Sequence, residues 1–512
     1  MRFRAAAGGA VAGVVVLAGC TLAAPGEPAP GASGGARARP GTVEEYYAQQ
    51  PDWEDCVPTG MECATVTAPL DWEEPSTGAV ELAVVRLVSE GAAPVGSLLI
   101  NPGGPGLSGV ELVQQSAGFV ASSSLRGSFD IVGWDPRGVR ASTPVECLDD
   151  EEMDDYLFTP PESATGSDAW FAERAQVERG FAEACAAESG GLLAHLDTRS
   201  NARDLDLLRA VLGDERLNYL GYSYGTLLGA HYAELFPEKV GRMVLDAPVD
   251  PAMGRSQQFV DQARGFENAF RAYAADCLAT AGCPFTGTLD DALAQARELF
   301  AGVEARRLEA PDGRRLTSTV LGAALIWQLF GGDPEPAMTR LVKQLRDGDA
   351  TLAFRFADDS YARIDDDRYE YNYTSILAAA MCADGVHGGG LEATRSTAAA
   401  MEAAAPTVGR YFAFDSWVRV DSVCQSWPVP PAPGPAPVAA PGAAPILLVG
   451  GSADPSTPYS WAQSLAGQLE SAVLVTRDGG GHTSYARGND CIDTVVEDYL
   501  VTGTPPSTDT VC

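Results

Sequence analysis

Apolar and polar positions alternate over residues 64–70, break at a Pro/Gly turn near 75–78, and alternate again over 80–88. A period of two on both sides of a turn predicts an antiparallel hairpin at a sheet edge. Short apolar runs follow at 95–100, 129–134, 217–220 and 242–246. Between them, residues 204–212 and 226–236 carry helical periodicity, and Pro237 stops the second. Apolar runs alternating with helical stretches predict a largely parallel sheet flanked by helices.

The pattern changes over residues 251–427, where Ala-rich amphipathic segments at 257–278, 289–307 and 321–330 read as helices and no buried strand is evident. Residues 428–445 are rich in Pro and Ala and read as a connector, after which strand character returns at 446–449 and 472–476. The expected organisation is one core, residues 45–250 and 428–512, interrupted by a helical cap at 251–427. At about 100–200 residues per domain, 512 residues suggest two or three compact units.

The first twenty residues fall outside this scheme. Arg2 and Arg4 precede a short apolar run that ends in Leu17-Ala18-Gly19-Cys20. The run is too short for a stable membrane span and reads as a signal peptide over 1–20. Its end resembles a bacterial lipobox, which implies lipidation at Cys20; the alternative is an ordinary secretory signal. Residues 21–44, dominated at first by Pro, Gly, Ala and Ser, read as a flexible tether. No second long apolar run follows, so membrane contact is expected through the amino-terminal lipid alone, with the protein outside the cytoplasm.

Composition narrows the chemistry. With 46% apolar and 20% charged residues, the chain can build a large core. A formal charge of −34 and only two lysines, Lys239 and Lys343, exclude nucleic acid as an expected partner. The negative field either serves solubility or draws in cationic substrates such as peptides with a free amino terminus. Eleven cysteines less Cys20 leave ten, an even number that suits a disulfide framework in an exported chain. Connectivity is not fixed by sequence. The simplest arrangement joins nearest neighbours: Cys56–Cys63, Cys147–Cys185, Cys277–Cys283, Cys382–Cys424 and Cys491–Cys512. There is no Cys-x-x-Cys pair or Cys/His cluster, so neither a metal nor another cofactor is expected.

The chemistry concentrates in Gly221-Tyr222-Ser223-Tyr224-Gly225, set between a strand and a helix. This Gly-x-Ser-x-Gly context is the nucleophile elbow of the α/β-hydrolases, which predicts Ser223 as nucleophile. A serine hydroxyl needs a base near neutral pH. Of the four histidines, His195 precedes the elbow, His231 lies farther along its helix, and His387 lies in the insertion. His482, in the Gly-rich loop after the last predicted strand, is the expected base. Asp454, after strand 446–449, is the expected acid that fixes its tautomer; Asp478, on the histidine's own loop, fits less well. The oxyanion would take the backbone N–H of Tyr224 and one from Asn101-Pro102-Gly103-Gly104-Pro105-Gly106, with Gly104 preferred. Asp135-Pro136-Arg137-Gly138 reads as structural, with Arg137 pairing a carboxylate beneath the site. Thr457 either caps a turn or steadies the Asp454 loop.

In combination, Asn101–Gly109, Gly133–Gly138, Gly221–Thr226, Asp454–Pro458 and Gly481–Ser484 resemble the tripeptidyl aminopeptidase family of actinobacteria, itself related to prolyl iminopeptidases. The spacing of Cys491, Tyr499-Leu500, Gly503, Pro505 and Cys512 is similar too. The lipobox makes the chain similar to the lipid-anchored members, mycelium-associated proteinases and a mycobacterial cell-envelope serine hydrolase among them. The resemblance implies an α/β-hydrolase fold: a mostly parallel central sheet with an amino-terminal antiparallel hairpin and a large helical cap inserted after the sixth predicted strand. It implies Ser223, Asp454 and His482 as the triad and residues 101–106 as the oxyanion segment. It implies release of short peptides, tripeptides foremost, from free amino termini by a monomer. Cys382-Ala383-Asp384 is similar to a family segment near the cleft, which implies Asp384 as ligand of the substrate amine; the alternative is a turn residue beside a disulfide. Fold and triad do not fix substrate. An esterase acting on envelope lipids or small esters, and an inactive hydrolase fold that only binds, remain as alternatives.

Overall fold

The strands at the centre of the sheet are apolar on both faces because helices cover both faces. The structure, a computed structural model, describes residues 40–331, 334–364, 368–385, 388–507 and 510–512. Ten strands form one sheet: β1 (Glu54–Cys56), β2 (Met61–Pro69), β3 (Ala79–Leu87), β4 (Gly96–Asn101), β5 (Phe129–Trp134), β6 (Leu217–Tyr222), β7 (Val240–Asp246), β8 (Ile446–Ala453), β9 (Ala472–Gly480) and β10 (Thr510–Val511). Their order is β1-β2-β3-β5-β4-β6-β7-β8-β9-β10. The β1, β2, β3 and β5 neighbours pair antiparallel, and every pairing from β5 through β4 to β10 is parallel. The order reverses around β4, and at such a switch point loops leave adjacent strands in opposite directions and open a crevice.

Register decides which loops meet. Asn101 pairs with Gly221, Tyr222 with Asp246, Asp246 with Val449, and Ala453 with Gly480. The oxyanion-type loop, the serine elbow and the loops carrying Asp454 and His482 therefore rise side by side from the carboxyl edge. β8 and β9 run to Ala453 and Gly480, past the expected 449 and 476, and so bring those last two loops up to the edge.

Between β7 and β8 lie helices from Arg255–Ala279 to Val418–Gln425. A second excursion, between β5 and β6, contains Asp150–Phe158 and Asp168–Ser189, which the sequence reading did not separate from the core. It packs on the cap: Phe158 meets Phe354 and Tyr361, and Trp170 meets Phe414. One hydrophobic cluster runs from Phe270, Leu325 and Met401 in the cap to Leu99, Tyr219 and Leu448 in the sheet. A second cluster, with Ile100, Val449 and Tyr499, covers the other face. Residues 40–512 form one compact unit, in which cap and core share apolar surface. The first helix, Val43–Tyr47, is capped by Thr42 and buries Tyr46, so folded chain extends into the last residues of the expected tether. Cys20 and the signal segment lie outside the described residues.

Five disulfides join Cys56–Cys63, Cys147–Cys185, Cys277–Cys283, Cys382–Cys424 and Cys491–Cys512. Among the described residues no helix is long and apolar enough to cross a membrane. Below the site, Arg137 and Asp204 are fully buried. Arg137 donates from Nε and Nη2 to the two Asp204 oxygens at 2.7 and 2.6 Å, and its other N–H groups reach the carbonyls of Pro69, Leu70 and His195. The pair ties the β2 end, the 135–138 loop and the helix Thr198–Val211 together. Arg137→Leu would leave a buried carboxylate without its cation. We expect a loss of about 3–5 kcal/mol, read as a lower midpoint of urea unfolding followed by tryptophan fluorescence.

Candidate active site

Ser223 links β6 to the helix Tyr224–Leu235 with φ 54° and ψ −122°. A non-glycine residue held there stores of order 1–3 kcal/mol of strain. The turn is this tight because β6 and the helix nearly touch. A Cβ on Gly221 would lie 2.5 Å from Gly225 O, and one on Gly225 would lie 2.7 Å from Asn101 Oδ1. Glycine is required at both positions, and the hydroxyl between them is presented above the sheet. Ser223 N–H donates to Asp246 O at 2.9 Å, anchoring the elbow to β7.

Asp454 is buried at the loop after β8. Its Oδ1 accepts the N–H groups of Ser456 and Thr457, each at 2.9 Å, and its Oδ2 accepts the Thr457 hydroxyl at 3.1 Å. His482 Nδ1 lies 3.0 Å from both carboxylate oxygens. Burial alone would raise the Asp454 pKa. The nearby imidazole, its hydrogen bond and the two amides outweigh burial and hold the carboxyl below its usual range. From the other side the cap holds His482: its main-chain N–H donates to Phe330 O at 3.0 Å, and the two rings meet edge-on at 5.5 Å. Asp478 is exposed and instead accepts the Ser452 hydroxyl.

The 101–106 loop packs directly on the elbow. A Cβ on Gly103 would lie 2.9 Å from Ser223 Cβ. Gly103 N–H is donated to Asn101 Oδ1 at 2.9 Å, so it is not available to substrate. Among the described residues no hydrogen bond within the protein takes the N–H of Gly104 or Tyr224.

Ser223, His482, Gly104 and Tyr224 all line one cavity of about 1100 Å³ between core and cap. The structure thus brings Asp454 to His482 and sets Ser223 and His482 on a common wall. No Ser223–His482 hydrogen bond is formed, and in empty sites such bonds are commonly long. His231, also on the wall, lies farther along the elbow helix, where burial pushes it down to about 4 and keeps it neutral. His387 lies outside the described residues.

Asp384 lines the cavity as well, but its oxygens are engaged. Oδ1 accepts Thr198 N–H at 2.7 Å and Oδ2 accepts the Thr198 hydroxyl, which also meets Tyr224 Oη at 2.6 Å. Burial foremost pushes its carboxyl up to about 6. The residue is a link from cap to elbow as well as a cavity carboxylate. Sequence reading missed this link, the Phe330 contact and Asp246. The signal for Asp246 was a charged residue closing a buried strand. For the others, partners far apart in the chain gave no local signal.

Topology and residue chemistry converge on one class: the chain is an α/β-hydrolase and a serine hydrolase. A family profile described as TAP-like protein matches residues 410–512. Serine protease Hip1 of Mycobacterium tuberculosis is 33% identical over 500 residues, covering 93% of each chain. Carboxylesterase B of the same organism is 35% identical, over 97% of this chain and 96% of that one. Tripeptidyl aminopeptidase of Streptomyces lividans is 31% identical, over 90% and 86%. The chain belongs to this TAP-like family of serine hydrolases.

If His482 serves as base to Ser223, Asp454→Asn preserves shape but no longer fixes its tautomer or stabilises the imidazolium. We expect kcat on a chromogenic ester to fall by about 10⁴-fold with little change in KM, as at the corresponding position of a measured protease.

Proposed function

We propose that this protein is an exported serine peptidase that removes short peptides, tripeptides foremost, from free amino termini through an acyl-enzyme. In this reading Ser223 Oγ attacks the scissile carbonyl while His482 Nε2 takes its proton. Asp454 accepts the Nδ1–H and stabilises the imidazolium. The N–H groups of Gly104 and Tyr224 receive the oxyanion, each removal of such a donor costing about 2.7–4 kcal/mol in a measured case. His482 returns the proton to the leaving amine, then activates the water that frees the serine.

The observation that carries the peptide assignment is the cavity. At about 1100 Å³ it exceeds what a small acyl group needs, and cap residues line it beyond Ser223. Its wall carries Asp359, Asp384, Asp415 and Asp421 beside Arg199, Arg255, Arg419 and Arg487, and this reading assigns the substrate ammonium to Asp384, which has no arginine ion pair among the described residues. An oxidising compartment is supported by the five disulfides. A second reading, an esterase, is favoured by the predominantly apolar wall and by the relative named carboxylesterase B.

The two readings separate on tripeptide chromogens with and without an amino-terminal acetyl group, run beside acyl esters. A peptidase that holds the amine loses roughly 10- to 100-fold in kcat/KM on acetylation. Equal rates on both forms, with faster ester turnover, would favour the esterase. Ser223→Ala should abolish fluorophosphonate labelling; persistent labelling would remove Ser223 as nucleophile.

A further inference from the structure

We propose that Asp246 is a positioning residue that sets the nucleophile and the base at working distance from each other, and that it does so as a carboxylate. The inference rests on Ser223 and His482 acting as nucleophile and base.

The geometry joins the two through one residue. Asp246 closes β7, paired with Tyr222 on one side and Val449 on the other. Its main-chain oxygen accepts the N–H of Ser223 at 2.9 Å. Its side chain reaches the base loop: Ser484 N–H lies 3.0 and 2.9 Å from the two oxygens, and Tyr485 N–H lies 2.7 Å from Oδ2. These amides sit two and three residues beyond His482. Asp454 therefore orients the imidazole ring while Asp246 holds the backbone that carries it. The same residue holds the strained elbow.

Burying a charge here is costly, since Asp246 is completely buried and no ion pair with Arg or Lys reaches it among the described residues. A neutral Asn or Ser could close a strand without that cost. What the charge adds is strength, because amides bind a carboxylate roughly twice as firmly as a neutral acceptor. Burial foremost pushes the Asp246 carboxyl up to about 6. The Tyr485 and Ser484 amides and the His482 charge oppose that rise, and Asp454 adds to it. Tyr222, at the end of β6, and Tyr485 also face the group. Lowering the pH through about 6 thus neutralises the bracket and loosens the base loop.

The test measures p-nitrophenyl ester hydrolysis and fluorophosphonate labelling between about pH 5 and 8 for the full chain and for Asp246→Asn. In the parent enzyme part of kcat/KM should be lost as the pH falls through about 6, where the Asp246 carboxylate is neutralised. Asp246→Asn should lack that pH-dependent part, with kcat lower by about 10- to 100-fold and KM nearly unchanged. Unchanged kcat in folded Asp246→Asn overturns the proposal. If that variant does not fold, hydrogen exchange at the Ser484 and Tyr485 amides of the parent decides, and exchange as fast as that of exposed loop amides overturns the proposal. Labelling that survives in Ser223→Ala would instead overturn the nucleophile assignment, so the two failures are distinguishable. The small ester keeps the result independent of peptide preference.

Discussion

The site depends on how closely the chain crosses itself at residues 221–225. Gly221 faces the carbonyl of Gly225, and Gly225 faces the side chain of Asn101, with no room for a methyl group at either contact. That crowding is what keeps Ser223 in a conformation it would otherwise leave. The strain is offset by dense packing of β4, β6 and the elbow helix, together with the bond from Ser223 N–H to Asp246 O. A packed interior resists deformation, so the hydroxyl is held in place before any substrate arrives.

Around this fixed point the other groups arrive on neighbouring strand ends and are steadied by partners of different origin. The imidazole is held by a carboxylate of the core and meets an aromatic ring of the cap, while a cap carbonyl holds the main chain that carries it. The elbow is reached from the cap by Asp384 through Thr198 and Tyr224. The connector residues 432–436 are part of the cavity wall, with Ala432 N–H bound to Ala383 O and Ala436 N–H bound to Pro251 O. Cap and core are therefore coupled at the reacting centre and not only through shared apolar surface.

Much of this was legible in the chain. The change from period two to helical periodicity places the hairpin and the alternating core. The glycines two positions either side of Ser223 identify the elbow because their physical requirement is local. Asp454 and His482 are readable because each follows an apolar run that must be a strand. The excursion over residues 150–189 was not separated, although Asp149 with Glu152 forms a capping box. Its burial against Phe354 and Phe414 depends on contacts across hundreds of residues. Asp246 shows the same limit: the charge at the end of an apolar run is visible, but its meaning lies in amides that arrive from residues 484 and 485. Asp384 was visible as a carboxylate near the cleft, and only packing reveals Thr198 between it and Tyr224.

Both margins of the sheet are stubs. β1 is three residues long and is bridged to β2 by Cys56–Cys63, while β10 is two residues long and is followed by Cys512, bridged to Cys491. Long, bare margins offer rows of unpaired amides and carbonyls that recruit strands from other molecules. Here the stubs cover residues 61–63 of β2 and 475–476 of β9, and covalent bonds hold these outermost rungs in place. Along those rungs another molecule's strand finds the backbone groups already taken, and a disulfide resists their being peeled away.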